Sequence, residues 1–294
     1  MLEAEDVGSY PVAPYGVKAD QTIPKMKFQY GKRSLVWADD IEYYVASLRH
    51  ERWSLEPIVG GIGGSVSDVG GEGIVQLITM LTEHESFFIQ GITQHIPRIS
   101  CYYTEPRIAL AYIARDDAKH LDGLLSCVRG RDLGRISASS QFSLKNILEL
   151  TDVSEFLFIA GLMGKATVAT VARHLAGRLN TNTLGALLTH IAEDEERHAS
   201  FAAAHLRHRI KMGDMNIDTL ENLVERFELY LIVSSGMDEA SQGEFTALLG
   251  REGVREMLLS IDKSRKALLL EAGLSVTDVE RLMGRAGFEK SGFC

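Results

Sequence analysis

The chain has 294 residues, of which 45% are hydrophobic, so it is long and apolar enough to bury a large core. Its formal net charge of −9 argues against a broad interface with nucleic acid or anionic lipid. The three cysteines form no Cys-x-x-Cys pair, which fits a reducing cytoplasm better than a disulfide-held secreted protein.

The amino-terminal region, residues 1–37, contains three of the six prolines and no sustained periodicity, which favours an extended arm. It has no basic stretch followed by an apolar run, so we expect no signal peptide. We also expect no membrane span, which requires about 20 apolar residues. A short amphipathic helix is predicted over residues 38–53. The glycine-rich loop that follows at 57–73 matches no nucleotide-binding fingerprint.

A helical period of 3.6 residues dominates from residue 73 to about residue 211. Glycine and proline breakers divide this region into four long predicted helices, at 73–95, 106–128, about 152–176 and about 184–211. Shorter helices are predicted over 216–294, and the sequence contains no convincing alternating strand. We therefore predict an all-α protein that forms a single domain over residues 1–294.

Two similar hexamers lie on the second and fourth long helices: RDDAKH at 115–120 and EDEERH at 193–198. Each contains an acid pair and a histidine three residues after the second acid. Side chains three residues apart leave the same side of a helix, so Asp117 and His120 can share a metal ion, and Glu195 and His198 can do the same.

Single acids also interrupt the apolar faces of three predicted helices. Glu85 lies in the buried seam of the first helix, Asp117 in that of the second and Glu195 in that of the fourth. A hairpin that turns near residue 101 brings Glu85 level with Asp117, which is an independent reason to place these acids together. Burying three ionised carboxylates is costly unless positive charge lies among them. The pattern predicts a pair of divalent metal ions between the helices, and oxygen and imidazole ligands admit iron or manganese.

A different source of positive charge is a network of buried salt bridges. Lys119 and Arg197 lie inside the two hexamers and are the basic residues available for such a network. Their helix positions face away from the apolar seams, so this alternative is less favoured than metal.

The two hexamers and Glu85 resemble the ferritin-like di-iron carboxylate superfamily, which includes acyl-carrier desaturases, bacterial multicomponent monooxygenases and the small subunit of ribonucleotide reductase. The resemblance covers about residues 73–211 and implies a four-helix bundle core with additional helices, holding two iron ions, with manganese as the other candidate. It implies that the metal ligands include Glu85, Asp117, His120, Glu195 and His198. It also implies that Asp116 and Asp194 accept the imidazole N–H of a ligating histidine on the neighbouring helix.

The third long helix departs from the family pattern, in which it supplies a carboxylate. Reflecting Glu195 through a turn near residue 180 reaches residue 165, but the segment FIAGLMGKATVATV (158–171) contains only one charge, the basic Lys165. The nearest acid, Glu155, lies about ten residues away, or about 15 Å along a helix axis. A bend or π-bulge could bring Glu155 into range as the missing ligand. Otherwise water, substrate or an acid such as Glu196 fills the gap, or the metal site is degenerate.

Small residues on the third helix allow two interpretations. Ala160, Gly161 and Gly164 predict either close helix packing or a substrate cavity beside the metal. Leu124 stands where the radical-carrying subunit of ribonucleotide reductase has a tyrosine, so a stable tyrosyl radical is disfavoured.

The resemblance implies a non-haem di-iron oxidase or monooxygenase that uses dioxygen to oxidise a small organic substrate. Its expected partners are that substrate, dioxygen and an electron-donor protein. We expect a cytoplasmic homodimer that binds neither nucleic acid nor membrane. The alternative function is a non-catalytic protein with a degenerate metal site, such as a metal-storage protein or a partner subunit of a monooxygenase.

Overall fold

The computed structural model describes residues 9–11, 25–27, 40–60, 71–100, 103–179 and 183–285. The helices, in chain order, are α1 (Ile41–Arg49), α2 (Glu56–Gly60), α3 (Glu72–His95), α4 (Thr104–Cys127), α5 (Ala138–Leu148), α6 (Val153–Phe156), α7 (Lys165–Arg178), α8 (Thr183–Lys211), α9 (Ile217–Arg226), α10 (Glu228–Val233), α11 (Gln242–Glu271) and α12 (Val276–Arg285). A 3-10 turn, Ile96–Arg98, follows α3, and a π-helix, Leu157–Gly164, joins α6 to α7 without interruption. The predicted all-α class is therefore confirmed.

A small antiparallel ribbon lies within the predicted arm. Strand β1 (Ser9–Pro11) pairs with β2 (Lys25–Lys27), and Tyr10 stands opposite Met26. The remainder of the arm and most of the predicted glycine-rich loop lie outside the described residues.

The four long helices begin and end within two residues of their predicted bounds, with the third made of α6, the π-helix and α7. Helix α3 packs against α4, and α7 packs against α8. Contacts between α4 and α8 join these two pairs, while α11 covers α7. The short connection between the helices of each pair requires them to be antiparallel, so α3, α4 and α8 bring their inward faces together.

The apolar seam of α3 shows why this helix forms a buried layer. Side chains three or four residues apart along it, namely Ile78, Leu81, Glu85, Phe88 and Ile92, are each at most 2% exposed. Glu85 is thus carried into the core by its apolar neighbours on the same helix face.

One helical stretch meets the length and composition of a membrane span, and the expectation that the chain has no span stays a prediction. The stretch Val153–Arg178 is long and apolar enough to cross a membrane by length and composition. Most of it is buried inside the protein, where α8 and α11 pack against it. Burial on nearly every side explains why this stretch lacks a polar face.

Candidate metal centre

The five residues expected to ligate metal from three helices meet in one fully buried cluster. Glu85 comes from α3, Asp117 and His120 come from α4, and Glu195 and His198 come from α8, with none more than 1% exposed. His120 Nδ1 lies 3.4 Å from Glu85 Oε2, while His198 Nδ1 lies 3.3 Å from Glu195 Oε1 and 3.5 Å from Asp117 Oδ1. We refer to Glu85, Asp117 and Glu195 as the carboxylate cluster.

A lysine from the third long helix lies within the carboxylate cluster. Lys165, the first residue of α7, has its Nζ 2.8 Å from Asp117 Oδ1 and 2.8 Å from Glu195 Oε1. The ammonium also lies 3.8 Å from the centroid of the Phe88 ring, a cation–π contact. Burial would lower the pKa of Lys165, but the neighbouring carboxylates outweigh burial and raise it. Lys165 is therefore a fixed positive charge.

Glu155, one of the alternatives for the missing ligand, is not among the side chains whose ligand atoms lie within 4.8 Å of one another. Glu155 lies on α6, ahead of the π-helix, and is only half-buried, with its backbone N–H donating to the N-cap residue Asp152. A π-helix is present where a bulge was considered, but an i→i+5 turn holds only about one residue more than an i→i+4 turn. That shift of one residue moves Lys165 onto the inward face. It is too small to bring Glu155, ten residues earlier in the chain, to the same level.

The two acids that share Lys165 differ in their protonation. Burial raises the pKa of Asp117 to about 7, although Lys165 opposes this effect. Burial also acts on Glu195, but Lys165 and hydrogen bonds from His120 and His198 outweigh it and hold the pKa of Glu195 well below its usual range. Glu195 is accordingly the firmly ionised acid of this pair.

Each histidine spans from the carboxylate cluster to an aspartate on the opposite hexamer. His120 Nε2 lies 3.2 Å from Asp194 Oδ2, and His198 Nε2 lies 3.4 Å from Asp116 Oδ2. These are the cross-helix contacts expected for the two aspartates, whose role around a bound metal stays a prediction. The contacts fix the orientation of both rings and aim each Nδ1 at the carboxylate cluster.

The salt-bridge alternative named the wrong basic residues. Arg197 pairs with Asp194, and Lys119 Nζ lies 3.9 Å from Asp116 Oδ1 and 3.6 Å from Glu51 Oε1. Both cations thus neutralise the outer aspartates or surface acids. Within the described residues, the lysine that contacts the inner carboxylates is Lys165.

A tryptophan extends the hydrogen-bonded chain toward the surface. The Trp53 indole N–H donates to Asp194 Oδ2 over 2.9 Å, and its ring stacks on His120 with a centroid separation of 6.1 Å. Lys119 Nζ lies 4.1 Å from the centroid of the Trp53 ring. Burial would raise the pKa of Asp194. Hydrogen bonds from His120 and Trp53 outweigh burial and hold that pKa well below its usual range.

Unpaired oxygens show how a metal fits this site. Within the described residues, Glu85 Oε1, Asp117 Oδ2 and Glu195 Oε2 are buried and accept no hydrogen bond. Glu85, Asp117, His120 and Glu195 each offer a ligand atom, and these atoms lie within 4.8 Å of one another. Buried unpaired carboxylate oxygens are costly, and a divalent ion would satisfy them. The donor set therefore fits one metal ion.

A second metal ion does not fit the residues as they stand. The other inner oxygens of Asp117 and Glu195, Oδ1 and Oε1, already accept hydrogen bonds from Lys165. A second ion would bring its own charge against the Lys165 ammonium and would lack the third-helix carboxylate.

The predicted substrate cavity on the third helix is filled by neighbouring side chains. A Cβ at Gly164 would lie 2.0 Å from Tyr230 Oη, and one at Gly161 would lie 3.1 Å from Ala202 Cβ. Ala160 is 0% exposed within the apolar core. These small residues serve close helix packing, which was the other interpretation.

No protein-family model matches the chain, and no curated protein does either. The resemblance to the di-iron carboxylate superfamily therefore rests on the residues of the chain alone. Lys165 is the member of the centre that the sequence argument did not assign. Two features of the sequence mark Lys165. It is the only charged residue in the apolar segment 158–171, and a hairpin that turns near residue 180 places residue 165 opposite Glu195.

Proposed function

We propose that this protein is an oxygen-dependent oxidoreductase with a carboxylate–histidine metal centre, in which Lys165 replaces one of two metal ions. The observation that carries the proposal is the set of three unpaired, buried carboxylate oxygens beside His120. A divalent ion would satisfy those oxygens and would also supply the positive charge that the buried carboxylates require. The resemblance in the two hexamers supports the choice of dioxygen chemistry and of a ferritin-like bundle.

Charge balance supports one ion rather than two. With all three members of the carboxylate cluster ionised and His120 and His198 neutral, as metal binding requires, the cluster and the Lys165 ammonium carry a net charge of two negative. One divalent ion cancels this charge, whereas two ions would leave an excess of positive charge in a low-dielectric interior. Glu85, Asp117, His120 and Glu195 would hold that ion.

A bound ferrous ion would supply one-electron chemistry with dioxygen, and manganese is the other metal that this donor set suits. The residues of the chain do the rest. Lys165 holds the inner oxygens of Asp117 and Glu195 in place by donating a hydrogen bond to each. Trp53 and Asp194 fix the ring of His120, and Phe88 covers the ammonium and excludes water.

The partners follow from the same proposal. The oxidation of a small organic substrate consumes dioxygen and requires an electron-donor protein unless the substrate supplies all the electrons. A cytoplasmic homodimer remains part of the proposal. Oxygen consumption by the iron-loaded protein, measured with candidate reductants, tests the oxidase chemistry directly.

Replacing Glu195 with alanine is expected to abolish metal binding, because the change removes a ligand and one of the unpaired oxygens. Metal per chain is measured by elemental analysis after anaerobic loading with ferrous iron. The matched control is Glu196→Ala, which removes the neighbouring acid, a side chain 53% exposed and paired with Arg173. Equal metal content in the two variants would show that the centre lies elsewhere.

Replacing Asp194 with asparagine is expected to weaken metal binding by about 10–100-fold, because Asp194 fixes the ring of His120. A titration with Mn²⁺, in which electron paramagnetic resonance counts the free ion, gives the affinity. Glu193→Gln, at the preceding and 44% exposed position, is the control and should leave the affinity unchanged. An unchanged affinity in Asp194→Asn would remove the positioning role of this aspartate.

A non-catalytic protein is the second candidate function, and the two 2.8 Å ion pairs of Lys165 favour it. In that case Lys165 and the histidines hold the acids together without a metal ion. Metal analysis separates the two candidates: a chain that retains no iron or manganese after anaerobic loading supports the second.

A further inference from the structure

A buried arginine on α11 contacts both ends of the junction between the π-helix and α7. Arg265 is 0% exposed and is the largest fully buried side chain within the described residues. Its Nε donates to the Met163 carbonyl oxygen over 3.3 Å and to Thr167 Oγ1 over 3.1 Å. Its Nη2 donates to Thr167 Oγ1 over 2.6 Å and to the Leu231 carbonyl oxygen over 3.1 Å. Lys165 lies midway between Met163 and Thr167 in the chain.

The π-helix decides which residue faces the carboxylate cluster. In an uninterrupted α-helix the inward seam from Leu157 runs through Ala160 to Gly164. The extra residue in an i→i+5 turn advances the chain by about one position, so Lys165 takes the inward place. Gly164 then turns toward Tyr230, where only a glycine fits because a Cβ would lie 2.0 Å from the hydroxyl oxygen.

A π-helix of this length is a rare conformation and requires external contacts to hold it. A buried guanidinium is also costly unless its N–H groups find acceptors. Arg265 contacts the Met163 carbonyl before Lys165 and the Thr167 hydroxyl after it. These contacts hold the end of the π-helix and also give the buried guanidinium its acceptors.

We propose that Arg265 is a positioning residue for the metal centre: its guanidinium holds the end of the π-helix and so fixes the register that turns Lys165 toward Asp117 and Glu195. Loss of this contact relaxes the segment toward an α-helix and withdraws Lys165 from the carboxylate cluster. The residue acts through Lys165 and touches neither the cluster nor a metal. This inference rests on the proposed function for its effect on metal content, but its effect on Lys165 holds without metal.

The first test is a double-mutant cycle on the metal-free protein, with Arg265→Met, Lys165→Met and the combined variant. Melting temperatures are measured by circular dichroism. If Arg265 acts through Lys165, Arg265→Met lowers the melting temperature less in the Lys165→Met background than in the wild type, because no ion pairs remain to be lost. Equal losses in both backgrounds would show a purely structural role and overturn the inference.

The second test counts metal in the same variants after anaerobic loading with ferrous iron. Arg265→Met is expected to retain more of its single ion than the wild type during dialysis, since Lys165 no longer occupies the inner oxygens of Asp117 and Glu195. Arg265→Lys, which keeps a buried cation, should remain closer to the wild type. In the Lys165→Met background, Arg265→Met should change the metal content no further.

The two proposals fail in different ways. A wild-type chain that binds no metal contradicts the proposed function, while the metal-free cycle still decides whether Arg265 acts through Lys165. If Arg265→Met does not fold, Thr167→Val removes the hydroxyl acceptor with little change in shape and enters the same cycle. A crystal structure of either folded variant with Lys165 still 2.8 Å from both acids would overturn the inference.

Discussion

Replacing Lys165 with glutamate is expected to raise the metal content from one ion per chain to two. The substitution removes the ammonium that holds the inner oxygens of Asp117 and Glu195, and it supplies a carboxylate at the same place on α7. The centre then has four carboxylates and two histidines, the set that di-metal bundles use. Four ionised carboxylates balance two divalent ions, as three carboxylates and an ammonium balance one.

Elemental analysis after anaerobic loading with ferrous iron gives the count for this variant. The matched control is Arg173→Glu, the same change of charge at a 51% exposed position of the same helix. Its metal content should equal that of the wild type. A Lys165→Glu chain that retains one ion or none would show that Lys165 does not occupy a metal position.

Replacing Lys165 with methionine is expected to destabilise the metal-free protein by about 3–5 kcal/mol, because it leaves two carboxylates buried without their cation. Methionine keeps the length and flexibility of the lysine stem, so lost packing contributes little. A loss of this size lowers the melting temperature by roughly 6–20 °C, which thermal unfolding followed by circular dichroism measures.

Two comparisons separate this effect from a general loss of stability. Lys145→Met breaks the exposed pair between Lys145 and Glu149, whose side chains are 74% and 60% exposed, and should change stability by at most about 0.5 kcal/mol. Divalent metal should restore much of the loss in Lys165→Met, about 2.7 kcal/mol at a metal concentration 100 times the dissociation constant. A melting temperature equal to that of the wild type would mean that the buried ion pairs contribute little.

The level and direction of three ligand-bearing helices were predictable from the sequence. On α3 and α4 a single acid interrupts a clear apolar seam, so the helical period fixes which way Glu85 and Asp117 point. The hairpin turn near residue 101 then fixes their level, and the structure brings Glu85 within 3.4 Å of His120 on the next helix. The helical period gives the direction of each side chain and the hairpin turn gives its level along the helix, so together they place Glu85 and Asp117.

The third helix could not be predicted in the same way. Residues 156–169 are all buried, so this helix has no polar face. The pattern of apolar residues therefore does not show which side of the helix faces the carboxylate cluster. The hairpin register reached residue 165 correctly, but α-helical spacing assigned the inward direction to Gly164. Lys165 is turned inward by the π-helix, whose last two residues contact other helices: Met163 accepts a hydrogen bond from Arg265 of α11, and Gly164 lies against Tyr230 of α10. Those contacts are long-range and leave no local signal in the sequence.

Helix α5 was also missed, for a local reason. The serine-rich stretch SASSQFS, residues 137–143, forms the N-cap and first half of this helix, Ala138–Leu148, and its composition is typical of loops and caps. Ser137 caps the helix by accepting a hydrogen bond from the backbone N–H of Ser140. The serines thus mark a helix start that composition alone did not distinguish from a turn.

The central claim is that a single divalent ion and the Lys165 ammonium together neutralise the carboxylate cluster. Anomalous diffraction at the iron edge, from crystals of the wild-type chain loaded anaerobically, tests it most directly. We predict one iron peak bounded by Glu85, Asp117, His120 and Glu195, with Lys165 still hydrogen-bonded to Asp117 and Glu195. Two iron peaks with Lys165 turned away, or no iron peak among these residues, would contradict it.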